Sequence, residues 1–79
     1  MPLTLAEDGV QYFIQKVCGN EQRRFHMEAM GFVEGTTIRI LSRFSEYFIV
    51  IVKGSKVGLD KEMAKHIIVS TEGREAISC

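Results

Sequence analysis

The segment Glu28-Ala29-Met30-Gly31-Phe32-Val33-Glu34-Gly35-Thr36 constrains this chain most, because it must stop a helix and start a strand within a few residues. Gly31 suits the position just past a helix C-terminus, where φ is positive and a Cβ would clash. Phe32 and Val33 follow as apolar anchors. Gly35 supplies a second turn, and Thr36-Thr37-Ile38-Arg39-Ile40-Leu41 begins a β-branched run. Two glycines around an aromatic–aliphatic pair fix how a helix hands over to a sheet.

The flanking sequence reads mainly as strand. Leu3 to Ala6 is an apolar lead-in, Asp8-Gly9 a turn, and Val10 to Val17 a β-branched and aromatic strand. Cys18-Gly19-Asn20 breaks that strand. Asn20 is a natural N-cap, and Glu21 sits favourably in the first turn of a helix running to about Met30. Met27 and Met30 share one helix face and Phe25 and Ala29 another, so the helix is expected to pack on more than one side. Ile38 to Arg43 is a second strand, Phe44-Ser45-Glu46 a loop, and Tyr47 to Lys53 a third strand with the strongest β signal. Gly54-Ser55 turns into Lys56-Val57-Gly58-Leu59, whose alternation fits a half-buried strand. Asp60 caps a single helical turn ending near Lys65, and Ile67-Ile68-Val69 closes as a short strand. Four or five short strands with one inserted helix predict an all-β fold, a small, strongly bent antiparallel barrel of the SH3-like kind. Residues 1–70 are expected to form it, and 71–79 a frayed polar tail.

Seventy-nine residues make one domain with a small core. Ten basic and ten acidic side chains give zero formal net charge. Such a chain has no general attraction to nucleic acid or anionic lipid, and no repulsion to discourage self-association. Acidic residues interrupt the N-terminal stretch at once, unlike a signal peptide. No apolar run approaches the ~20 residues of a membrane helix, which argues against direct membrane insertion. Two cysteines cannot build a disulfide framework, which points to a reducing cytoplasm.

Chemistry-bearing residues are sparse. Cys18, Cys79, His26 and His66, with Asp60 and Glu62, are the candidate metal ligands. A transition-metal site needs three or four converging donors, and none of these shows ligand spacing, so no metal or other cofactor is expected. No Ser/His/Asp constellation, P-loop or GxGxxG is present, and Asp60 beside Glu62 is better explained as a helix cap than as a catalytic pair. No catalytic residue is therefore assigned, and the chain reads as non-enzymatic. Arg23-Arg24 and Arg39/Arg43 are the basic clusters. Without a basic stripe interleaved with aromatics they argue against nucleic-acid binding, and Arg23-Arg24 is expected to pair with Glu21 and Glu28.

Taken in order, several stretches resemble the FeoA family of small ferrous-iron transport proteins. Pro2-Leu3-Thr4-Leu5-Ala6 and Gly9 resemble its opening. Arg24, Met27 and Met30 to Thr36 resemble its helix-to-strand signature, Phe48 to Leu59 its central hairpin, and Ala64, Ile67 and Val69 its closing segment. The resemblance implies an SH3-like barrel in the cytoplasm. It also implies a role as accessory to a FeoB-type ferrous-iron transporter, by contact with its cytoplasmic part. The family further resembles the C-terminal domain of iron-dependent repressors, so a transition-metal-binding or metal-sensing SH3-like domain is the alternative. The chain departs from the family pattern at Glu34, often proline, at Cys18, often glycine, and at Ile51, often charged.

The third strand carries the candidate site. Phe48, Val50 and Val52 alternate to one side and Tyr47, Ile49 and Ile51 to the other. Only one side of a small barrel faces the core, and the family pattern puts Phe48, Val50 and Val52 there. Tyr47, Ile49 and Ile51 then form an outward apolar stripe. The helix or the lead-in covers it, or else a partner or second copy does.

Overall fold

The computed structural model describes residues 1–71. The tail expected to fray lies, from residue 72 on, outside the described residues. A single 3₁₀ turn, Leu3–Leu5, precedes β1 (Gln11–Val17), α1 (Glu21–Ala29), β2 (Thr37–Arg43), β3 (Tyr47–Val52), β4 (Ser55–Asp60), α2 (Lys61–Ala64) and β5 (Ile67–Ser70). The strands form one antiparallel sheet in the order β4-β3-β2-β1-β5.

Two register shifts bend this sheet around its core. One falls in β1 between Ile14 and Lys16, the other in β2 between Ile40 and Ser42. A bulge inserts one residue and flips the alternation beyond it. Tyr12 and Ile14 therefore point inward, and after the bulge it is Val17 rather than Lys16 that is buried. Leu3, Ile14, Met27, Phe32, Ile38, Ile40, Val50, Ile67 and Val69 fill the interior. Leu3, from the apolar lead-in, plugs one end, beside α2 and β5.

The helix-to-strand handover forms as the glycine spacing requires. Asn20 Oδ1 accepts from Arg23 N at 2.8 Å and starts α1. At its far end Gly31, at φ 100°, lets its own N–H reach Glu28 O and the Phe32 N–H reach Met27 O, at 2.9 and 3.0 Å. That pair of bonds is a Schellman cap, and Met27 and Phe32, both fully buried, make the apolar contact that accompanies it. Gly35 N then bonds to Ile14 O and hooks the turn onto β1.

The helix does not pack on more than one side. Met27 is its only buried residue, and Phe25 is 74% exposed. With so few flanking elements, a nine-residue helix has one surface to rest on, and its second apolar face stays in solvent.

Candidate interaction surface

β3 and β4 are joined by a two-residue turn at Lys53 and Gly54, one position earlier than the Gly54-Ser55 turn expected from sequence. Both residues have positive φ, 52° and 76°, as a type I′ turn requires. Its right-handed twist suits the strands, and Val52 closes against Ser55. This register sends Phe48, Val50 and Val52 into the core.

Tyr47, Ile49 and Ile51 lie on the outer face. Tyr47 is 44% exposed, and Ile49 and Ile51 are half-buried. Ile51 stands between Arg39 of β2 and Lys56 of β4, and Ile49 between Ser42 and Gly58. Ile49 Cδ1 comes within 3.9 Å of the place a Gly58 Cβ would take, so the glycine leaves a shallow bare strip beside Ile49. The Tyr47 ring stacks on Phe44, with centroids 4.6 Å apart. Leu41, at the β2 bulge, and Phe44 are exposed as well and extend the apolar surface. Sequence reasoning missed both: Leu41 alternates outward with Arg39, but its place beside the β3 stripe depends on the β2–β3 register, and Phe44 reads as loop. The lead-in does not cover this face, since the 3₁₀ turn packs by α2 and β5.

The other polar candidates are engaged elsewhere. Arg43 Nε binds Asp8 Oδ1 at 3.0 Å, its Nη1 donates to Thr4 O at 2.8 Å and its Nη2 to Ala6 O. Its guanidinium lies 4.8 Å from the Phe48 ring centroid. Arg43 is thus a clamp on the lead-in, where the sequence suggested part of a basic cluster. Arg23 does not pair with Glu21 or Glu28. Its Nη1 lies 3.0 Å from His66 Nε2, and His66 Nδ1 lies 2.9 Å from Glu62 O. Helix i,i+4 spacing brings like faces together, but the nearby β5 end offers Arg23 a fixed acceptor instead.

Of the metal candidates, His26 is exposed on α1, one turn beyond Arg23, and Asp60 Oδ1 caps α2 by accepting from Met63 N at 2.8 Å. Cys18 is buried at the end of β1, where its backbone N–H donates to His66 O at 2.7 Å. Among the described residues no three His, Cys, Asp or Glu side chains gather as a metal would need. A cleft of about 140 Å³ is lined by residues including Lys16, Arg24 and Phe32, and a shallow, wide-open depression of about 320 Å³ by residues including Arg23, His26 and Met63. No helix among the described residues is long and apolar enough to cross a membrane.

No curated protein matches the chain. Solved structures do. The crystal structure of an iron uptake regulatory protein, FeoA, superposes with a TM-score of 0.82 at 24% identity, covering 89% of this chain and 95% of that one. Stenotrophomonas maltophilia FeoA complexed with zinc, a procaryotic SH3 domain protein, gives 0.78 at 21%, covering 95% of each. The zinc-bound structure of ScaR gives 0.79 at 27%, and the match covers 90% of this chain but only 36% of that longer one. The first two likenesses establish the SH3-like fold. The FeoA domain model matches residues 1–71, the whole described sheet and both helices, and the chain belongs to the FeoA domain family.

Proposed function

We propose that this protein is a non-enzymatic accessory of ferrous-iron uptake, acting in the cytoplasm by contact with the cytoplasmic part of a FeoB-type transporter. Membership of the FeoA family supports the iron-uptake role. The observation that carries the contact is the outer face of β3. Tyr47, Ile49 and Ile51 form an apolar stripe that the core does not use, widened by Leu41 and Phe44. Contiguous apolar surface on a small soluble domain marks an interface.

Arg39 and Lys56, on either side of Ile51, give the stripe a basic end. The matching transporter surface is therefore apolar with an acidic margin, an arrangement that fixes orientation and speeds encounter. A metal-binding or metal-sensing role is the alternative. Zinc appears with two of the similar structures, but the described residues here gather no donor set. Calorimetry of the chain with the isolated cytoplasmic part of a FeoB-type transporter, beside a titration with ferrous ion, decides between them. Saturable protein binding without stoichiometric ion binding supports the accessory reading. Tight ion binding with no protein contact overturns it.

A further inference from the structure

The two edges of the sheet differ. The edge of β5 is covered by the chain's own start: the Met1 amino group donates to Val69 O at 2.9 Å, Val69 N donates to Met1 O at 2.7 Å, and Pro2 bridges Ile68. The edge of β4 pairs with nothing beyond β3 among the described residues. In a two-residue hairpin the residues flanking the turn exchange both backbone bonds. Val52 and Ser55 flank it here, so Ser55, Val57 and Leu59 turn their backbone groups toward β3. The N–H and carbonyl groups of Lys56, Gly58 and Asp60 consequently point away from the sheet.

We propose that this edge pairs antiparallel with β4 of a second copy, about a two-fold axis through Gly58. In that register Gly58 faces Gly58, and Lys56 of each copy faces Asp60 of the other. The outward N–H and carbonyl of Gly58, and the Asp60 N–H with the Lys56 carbonyl, then find partners across the axis, while the Asp60 carbonyl stays with the first turn of α2. Val57, only half-buried in the single chain, gains Leu59 of the other copy as its neighbour. Asp60 keeps its cap, since only Oδ1 is used by Met63.

Charge selects the register. A pairing centred on residue 56 sets lysine against lysine, and one centred on residue 60 sets aspartate against aspartate. Like charges directly opposite are unfavourable, and opposite charges favourable. Lysines on an edge discourage indiscriminate strand addition, and Lys53, Lys56 and Lys61 flank this one. The pairing about Gly58 is the one that turns Lys56 from a guard into a contact. Zero net charge adds no long-range repulsion between copies. Because the axis stands perpendicular to the sheet, the two Tyr47–Ile49–Ile51 stripes emerge on one side, and the paired edge consumes neither.

Sedimentation of the full chain over a concentration series, with amide hydrogen exchange on the same samples, tests the pairing. The expected result is a reversible monomer–dimer equilibrium in which exchange at Gly58 slows as the dimer forms. Lys56→Glu, on an exposed position, should stay folded and raise the dimer dissociation constant about tenfold, since two attractive pairs become repulsive. A chain monomeric at every concentration overturns the proposal. So does a dimer whose Gly58 exchange ignores concentration, or one that Lys56→Glu leaves intact. No transporter is present in this experiment, so its outcome is separate from that of the proposed contact.

Discussion

Arg23 Nη1 stands 3.0 Å from His66 Nε2, and this contact decides the chemistry of both groups. A guanidinium can only donate, so Nε2 accepts, and the ring proton sits on Nδ1, which donates to Glu62 O. The bond ties α1 to the segment between α2 and β5, across a helix otherwise held by Met27 and its caps. Arg23→Ala should therefore speed amide exchange in α1 more than in the strands. The expected loss of global stability is about 1 kcal/mol, a modest figure because the pair is only partly buried. Equal acceleration across the sheet would mean that α1 is not an independently opening unit.

Gly31 should resist replacement for a conformational rather than a steric reason. A Cβ there would meet nothing closer than Lys53 Cδ at 3.8 Å, yet φ is 100°. Gly31→Ala is expected to cost about 1 kcal/mol or more in a denaturant melt. An unchanged midpoint would mean that the cap rearranges freely.

Lys53 makes the converse case. It is the one non-glycine residue at positive φ among those described, in the first position of a turn that favours asparagine or glycine. Lys53→Asn should stabilise the fold by about 0.5 kcal/mol, read as a higher midpoint with the same denaturant slope.

Arg43 holds the lead-in to β2 through Asp8 and two backbone carbonyls. A lysine keeps the charge but lacks the planar fork that serves three acceptors at once. Arg43→Lys should cost about 1–2 kcal/mol and expose the Leu3 region to proteolysis. Wild-type resistance to protease would locate the clamp elsewhere.

Local rules carried most of the fold. The β3 alternation, the Asn20 and Asp60 caps and the positive φ of Gly31 all depend on residues within a few positions of one another, and each forms as expected. The misses are non-local. Whether Phe25 is covered depends on what lies across from α1, which its own periodicity does not encode. The Arg23–His66 and Arg43–Asp8 contacts join residues 43 and 35 positions apart, and nothing in their neighbourhoods marks them. The place of Leu41 beside the β3 stripe depends on how β2 pairs with β3. The candidate site was legible at Tyr47, Ile49 and Ile51 as a pattern, and its breadth became visible only with the register in hand.

Ile49→Glu tests the central claim most directly, because Ile49 lies mid-stripe between the uncharged Ser42 and Gly58 and outside the core. Far-UV circular dichroism and a denaturant melt establish whether the variant folds, and calorimetry measures its association with the cytoplasmic part of a FeoB-type transporter. The account predicts a folded protein within about 1 kcal/mol of the parent, as for a half-buried position on the outer face, and loss of the association because an unpaired carboxylate would be buried at the interface. An unfolded variant, or a folded one that binds the transporter as tightly as the parent, would contradict it.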